Sequence, residues 1–503
     1  MLYKKLNIPL NLPRTSNEDG DVHKSNENII YEIINSSKNN QKSLTISFKN
    51  YFTPKIPSDN VESLNILLNE VIPIILLSKD FQQGLYQLLR FLESIVVNLN
   101  FINTVLKKKY LFHNLSEILS FSGYLTNFIS KDIKLLDILD PNYAIRLNEN
   151  ITFYKTSFDK IDLNFHDQEG LLDLLRKNHR FLKFQILFSF IRGDIDIKRF
   201  SKELSFLAQA TLNKAIDIVE KSIHKKYNIE LNEYCIIAYG RFATLSMSSN
   251  SDLDLVFIYN DQVKPKQSNR HVYKDLFLQL INILSNKTNE GTLYDVDTKL
   301  RPSGKIGPTV STFSNFKNHH QNKAFSWEKL ALKKTRIVSK ENNFSLQISE
   351  LINNLNNIPI SFYELSKEII LMRNNPNHND IKKINPLKWF ETKYTAGGQR
   401  NIEFIRYFYE DKSHLEISHE IEKKLFFLKK TETLFFKVDQ IMNVCFLDKK
   451  QDDLTFKAIS LLINETQEKD LGSLKLAIIN GKVEIYNILN KFLTHYAEIN
   501  LNK

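Results

Sequence analysis

The sequence predicts an α+β protein, mostly helical, with a small mixed sheet set between helical domains and a helical bundle at its C-terminal end. Three observations predict it. Apolar residues recur at three- and four-residue spacing through most of the chain, as in Leu64, Leu67, Leu68, Val71 and in Leu88, Phe91, Leu92, Ile95. Only around Tyr234 to Tyr259 does this give way to short, continuous apolar runs rich in β-branched and aromatic residues, the pattern of strands covered on both faces. A length of 503 residues, with 42% hydrophobic and 25% charged residues, is ordinary globular chemistry in a chain too long for one core.

The elements follow in order. Residues 1–60 form a polar segment with turn signals at Ser16 to Gly20 and Ser36 to Asn40. Residues 61–226 form an N-terminal helical domain, with breaks expected at Pro73, Gly84 and Gly123 and an internal turn at Arg192-Gly193-Asp194. Its most apolar run, Leu85 to Leu106, is interrupted by Arg90, Glu93, Asn98 and Asn100, which makes it a buried helix and not a membrane span. The sheet region covers residues 227–340: a strand over Tyr234 to Tyr239, Gly240 closing it, a turn with a short helix, a strand over Leu253 to Tyr259, and an amphipathic helix over Tyr273 to Leu284. A third strand is read in Thr292 to Pro302. A helical linker spans residues 341–386, with polar stretches at Asn357 to Pro359 and Asn374 to Pro386, and a C-terminal bundle spans residues 387–503, its last helices near Ile417–Val444 and Ser473–Ile499.

Composition narrows the setting. Cys235 and Cys445 fall in different expected elements and read as buried thiols of a reducing cytoplasm. The start, Met1 to Pro9, carries no sustained apolar run, so no secretory signal is expected. The formal net charge of +11 invites a nucleic-acid partner, but no basic stripe interleaved with aromatics stands out, and a positive field serves equally to steer ATP or an acidic protein. His319-His320 lacks the neighbouring ligands that zinc needs and is expected in solvent.

The chemistry concentrates at the mouth of the second strand. Side chains alternate faces along a strand, so Asp252 and Asp254 project together while Leu253 points into the core. Paired carboxylates are hard oxygen ligands that suit magnesium. A third carboxylate from a neighbouring strand completes a two-metal site, and in Thr292 to Pro302 alternation places Asp295, Asp297, Lys299 and Arg301 on one face. Such a site binds a nucleoside triphosphate through its metals, aligns a hydroxyl in line, and neutralises the leaving pyrophosphate with its basic residues.

A bare Asp-x-Asp is common, but this one follows a strand, glycine and serine-rich turn and precedes a helix and a further acid-bearing strand. In that order the chain resembles the glutamine synthetase adenylyltransferase family, within the polymerase-β-like nucleotidyltransferase superfamily. Leu293-Tyr294-Asp295-Val296-Asp297 with Leu300-Arg301-Pro302-Ser303-Gly304, then Phe325-Ser326-Trp327-Glu328, then Gly397-Gly398 with Ile402-Glu403-Phe404-Ile405, are similar to the family's successive motifs. The resemblance covers most of the chain from about Leu64 onward. It implies a nucleotidyltransferase palm in the sheet region, magnesium held by Asp252, Asp254 and Asp297, and ATP as substrate, contacted by Gly240, Arg241, Thr244, Ser251, Lys299, Arg301 and Glu403. It implies transfer of AMP to a tyrosine hydroxyl of glutamine synthetase in the cytoplasm, with the reverse phosphorolytic removal and a PII-type signal protein as a second partner within its scope. A catalytically silent module of the same fold that binds glutamine synthetase or a nitrogen-signalling protein is the alternative. The chain departs from the family where Ala243-Thr244 replaces a pair of glycines and Arg241 a lysine, which narrows the phosphate cradle.

Overall fold

A computed structural model describes residues 41–95, 110–140, 147, 150–163, 167–262, 269–374, 384–410, 419–445 and 454–498. The expected turns at Ser16 to Gly20 and Ser36 to Asn40, the end of the Leu85 to Leu106 run and most of the Asn374 to Pro386 stretch lie outside these residues. The chain packs as two compact units that are discontinuous in sequence: residues 1–146 with 437–476, and residues 147–436 with 477–503.

The first unit is helical, with α1 (Gln41–Phe52), α2 (Val61–Leu77), α3 (Phe81–Ile95), α4 (Tyr110–Phe121) and α5 (Gly123–Lys131). The expected polar segment is already folded at residue 41, where α1 buries Leu44, Phe48 and Phe52. Two expected breaks are absent. Pro73 lies inside α2, where the loss of one backbone donor is outweighed by the buried face of Val71, Ile72 and Ile75. Gly84 lies inside α3, where a β-carbon would stand 2.6 Å from Ser120 Oγ and 2.7 Å from Ile75 Cγ2. Gly123 does begin a new helix, capped by Ser122 Oγ, which accepts from Leu125 N at 3.3 Å. The same hydroxyl lies 3.2 Å from the carbonyl of Val444, bringing the C-terminal part of the chain into this unit. Asp80 does likewise, accepting from the backbone N–H groups of Phe456 at 2.7 Å and Lys457 at 3.2 Å, where a helix begins and its dipole favours an anion.

The second unit contains α6 (Ile151–Asp159), α7 (Gln168–Arg192), α8 (Ile197–Tyr227), β1 (Tyr234–Ala238), α9 (Gly240–Ala243), β2 (Leu253–Tyr259), α10 (Asn269–Ser285), β3 (Val296–Asp297), β4 (Val310–Thr312), α11 (Phe313–Asn322), α12 (Ser326–Leu332), β5 (Arg336–Ile337), α13 (Asn343–Asn356), α14 (Phe362–Asn374) and α15 (Gln399–Glu410). The helix α16 (His419–Cys445) runs across the unit boundary, α17 (Phe456–Thr466) belongs to the first unit, and α18 (Leu471–Glu498) crosses back. The architecture is therefore α+β and mostly helical, with one small mixed sheet. Among the described residues no helix is long and apolar enough to cross a membrane.

The sheet has the order β3-β2-β1-β5. β1 runs antiparallel to β2, with Ile236 opposite Phe257, and antiparallel to β5. β3 and β4 both run parallel to β2 along its other edge, β3 beside Leu253 and Asp254 and β4 beside Phe257 to Tyr259. Cys235, Ile237, Val256 and Ile258 pack with Phe313, Phe316, Phe344 and Ile348 of α11 and α13. On the opposite face Phe257 stacks on Phe277 of α10, ring centroids 4.6 Å apart. A sheet covered on both faces explains why β1 and β2 read as unbroken apolar runs.

Two expectations are corrected here. The third strand is two residues long, because the chain turns after Asp297: Lys299 N donates to Asp297 Oδ1 at 2.8 Å and Arg301 N bonds the Thr298 carbonyl. His319 and His320 are buried, not solvated. They lie on the inner face of α11 with Phe313 and Phe316, and burial without a partner for either His320 nitrogen pushes that imidazole down to about 3. Both cysteines are buried free thiols, as their apolar surroundings in sequence imply.

Candidate functional site

The site is built at the start of β2. Alternation sends Asp252, Asp254, Val256 and Ile258 to one face, so the two acids extend the line of core residues out to the open end of the strand. β3 then sets Asp297 directly opposite Asp254 in parallel register. One carboxylate oxygen from each of Asp252, Asp254 and Asp297 lies within 4.8 Å of the others, the only such trio of acid, histidine or cysteine side chains among the described residues. Asp295, the other acid of that segment, faces solvent and serves the strand pairing through its carbonyl, which accepts from Leu253 N at 2.9 Å.

The electrostatics follow from this convergence. Burial, then the neighbouring charge of Asp252 and that of Asp297, push the Asp254 carboxyl up to about 6, against the opposing pull of Lys393 and Lys299. Lys299 and Lys393 offset the three converging carboxylates only in part, since the Asp254 carboxyl still stands above its ordinary value. A divalent cation with oxygen ligands fits this donor set.

Gly240 makes the convergence possible. Its φ of +58° is in the left-handed region, and a β-carbon there would sit inside contact distance of Asp254 Oδ2 and 3.3 Å from its Cγ. Tyr239 N also donates to the Asp254 carbonyl at 2.9 Å, so the turn and the acid are fixed to each other.

The turn after Gly240 is internally bonded. Arg241 donates to Ser248 Oγ at 3.2 Å and to Gln399 Oε1 at 3.5 Å. Ser251 Oγ accepts from Ser248 N and meets Ser248 Oγ, both at 2.9 Å. Thr244 is exposed, with its hydroxyl 3.1 Å from the Gly240 carbonyl and 2.8 Å from Ser246 Oγ. Gly240, Arg241, Thr244 and Ser251 thus occupy one turn beside the acids.

The basic residues divide. Lys299, mostly exposed, ion-pairs with Asp297 at 2.6 Å, which holds its ammonium above the usual lysine range. Arg301 is buried and donates to the carbonyls of Thr298 at 2.8 Å and Gly307 at 3.1 Å, holding the loop after β3 closed. Both line an open cleft of about 390 Å³ together with Asp252, Asp295 and Asp297. Glu403 on α15 accepts from Lys334 Nζ at 3.2 Å, an exposed pair.

Sequence reasoning missed two residues. Lys393 bears electrostatically on Asp254 from the turn that precedes α15, and Gln399, the first residue of α15, reaches Arg241. That turn is seated by Gly397, whose φ is +71° and whose missing β-carbon leaves room for the backbone of Lys482 on α18. Lys482 in turn is buried and donates to the carbonyls of Lys388 at 3.1 Å and Glu391 at 2.7 Å. The Gly-Gly pair in the sequence was the available signal.

Residues 112–351 match the family described as glutamate-ammonia ligase adenylyltransferase. The chain is 26% identical over 359 residues to a bifunctional glutamine synthetase adenylyltransferase/adenylyl-removing enzyme of Mannheimia haemolytica, covering 68% of this chain and 37% of that protein. The namesake of Haemophilus ducreyi is 27% identical over 356 residues, again 68% and 37% of the two chains, and that of Nitrosomonas europaea 30% identical over 238 residues, 47% and 25%. The matches thus span from a quarter to a little over a third of the length of these curated relatives. The matched segment includes α8, the whole sheet and all three aspartates, so the convergence of the acids described above falls within it.

Proposed function

We propose that this chain is an adenylyltransferase that moves AMP from ATP to a tyrosine hydroxyl of glutamine synthetase. The observation that carries the proposal is the trio of Asp252, Asp254 and Asp297, three carboxylates converging from two paired strands beside a glycine that leaves them room. Relatives that match two thirds of the chain bear the name of this activity.

In this reading Asp252, Asp254 and Asp297 hold magnesium. When bound, magnesium neutralises charge on the reacting phosphate and lowers the pKa of a coordinated hydroxyl. The chain's own residues do the rest. Asp297 accepts the tyrosine proton, the phenolic oxygen bonds to the α-phosphorus, and the bond from that phosphorus to pyrophosphate breaks. Lys299 and Arg301, on the cleft wall, balance the charge of the departing pyrophosphate, Lys299 by direct contact and Arg301 by holding the loop. The turn of Gly240, Arg241, Thr244 and Ser251 receives the triphosphate, and Glu403 lies on the side of α15. Phosphorolytic removal is a separate transfer at the same phosphorus, in which orthophosphate bonds to it, the bond to the tyrosine oxygen breaks, that oxygen regains its proton and ADP leaves; the sequence wording of the strand after α10 favours attachment. A PII-type signal protein is the proposed second partner, and the cytoplasm, where both thiols stay reduced, the proposed location.

The test is direct. Incubation of the chain with ATP, magnesium and glutamine synthetase yields, by mass spectrometry, a synthetase heavier by one adenylyl group on tyrosine. The variant Asp252→Asn, which removes one ligand charge while leaving the fold in place, gives none. Undiminished labelling by Asp252→Asn would refute the mechanism.

A further inference from the structure

The serine-rich turn that carries Gly240 to Ser251 is attached to helix α8 at two points, and one of them runs through a single arginine. Met247 N donates to Ser205 Oγ at 3.3 Å, an ordinary neutral contact. The other contact is charged and branched. Arg336 of β5 donates through Nη2 to the carbonyl of Phe242 at 3.0 Å and through Nε to that of Ala243 at 3.4 Å, the two residues that end the short helix α9. Its Nη1 donates to Gln209 Oε1 on α8 at 2.7 Å. Gln209 is buried and fixed in its turn, its Nε2 donating to the Val338 carbonyl at 2.8 Å and to Asn213 Oδ1 at 2.9 Å. The Arg336 guanidinium also lies over the Phe242 ring, 5.1 Å from its centroid.

We infer that Arg336 is a positioning residue for the nucleotide site, one that transmits the placement of α8 to the turn facing the three aspartates. This rests on the proposed function and adds a role outside the acids, the turn and the cleft lining. The geometry requires a guanidinium. One planar fork reaches three acceptors on two separate elements, which a lysine's single nitrogen cannot span. Burial disfavours its charge, so the cation stays where it is only while those acceptors hold it. The segment from Gly240 to Ser246 is closed on itself, by Ala243 N to the Tyr239 carbonyl at 3.2 Å, Thr244 N to that of Gly240 at 3.3 Å and Ser246 N to that of Arg241 at 2.9 Å, but a helix of one turn does not fix its own placement, so its position against α8 depends on contacts from outside it. Arg336 touches none of the three aspartates in the described contacts. Its effect therefore falls on how the turn receives the nucleotide and not on the acceptor protein.

The experiment compares wild type, Arg336→Lys and Arg336→Ala by calorimetric titration with ATP and magnesium, by thermal midpoint, and by KM for ATP against KM for glutamine synthetase. Wild type binds ATP. Arg336→Lys, which keeps charge and most volume, binds it roughly tenfold more weakly, the scale of one charged hydrogen bond, with KM for the synthetase unchanged. Guanidinium chloride at millimolar concentration restores binding in Arg336→Ala, which a variant that had merely misfolded would not show. Wild-type affinity in Arg336→Lys, or equal rises in both KM values, overturns the positioning role alone. No ATP binding by wild type overturns both this role and the proposed function.

Discussion

Replacing Gly240 by alanine tests the site through the atom the structure leaves out. The residue has φ +58°, and the added methyl group would lie inside contact distance of Asp254 Oδ2. Two costs follow, on different scales. The backbone cost of a left-handed alanine is about 1–2 kcal/mol, a fall in melting temperature of a few degrees for a unit of this size. The steric cost falls on the carboxylate, which has to retreat by about 1 Å to restore ordinary contact. A displacement of that size costs on the order of a hundredfold in rate, close to 3 kcal/mol of barrier. Gly291→Ala is the control, because Gly291 has φ +94° with nothing within 4 Å of its would-be β-carbon. The expected result is a similar loss of stability in both variants and a collapse of AMP incorporation from labelled ATP in Gly240→Ala alone. Incorporation within threefold of wild type in Gly240→Ala, or an equal loss in both variants, would refute the claim that the glycine exists to admit Asp254.

Further outcomes follow from the same contacts. Magnesium binding near pH 6 displaces the proton that Asp254 holds at its raised pKa, so titrations in buffers of different ionisation enthalpy report proton release that vanishes above about pH 8. Magnesium raises the melting temperature of wild type and not of Asp252→Asn, as expected if the folded state alone binds it. His320 stays neutral in the fold down to about pH 3 while the unfolded chain protonates it near 6.5; the unfolded state then binds more protons, stability falls as pH drops from 6.5 towards 3, and His320→Phe flattens that slope in acid denaturation. Gly397→Ala places a methyl group against the backbone of Lys482, 2.7 Å from its Cα, and is expected to cost at least 2 kcal/mol by denaturant titration, on the scale of an overpacked core plus backbone strain.

What the sequence discloses about this protein is what the chain decides locally. β1 and β2 are legible because residues covered on both faces leave an unbroken apolar run, and the Asp252 and Asp254 pair is legible because strand alternation is a property of neighbours. Asp297 needed the resemblance, since alternation offered Asp295 equally; only the register of β3 beside β2, a pairing across more than forty residues, separates an acid opposite Asp254 from one in solvent. The shortened β3 was concealed by the turn in which Lys299 bonds back to Asp297, where polar residues alternate as they would in a strand. Lys393 and Gln399 were harder still. They come to the sheet because Gly397 lets the turn lie on α18, and nothing in the local pattern of either segment records that the other is there. The buried His319 and His320 were misplaced for a different reason: the lack of neighbouring metal ligands argued for solvent, whereas the helix sets His320 four residues after Phe316, with the two rings 4.5 Å apart, and packing prevailed. A site assembled from elements far apart in sequence thus reveals its acids early and its supports late, because acids are recognised by type and spacing whereas supports are recognised only by what they touch.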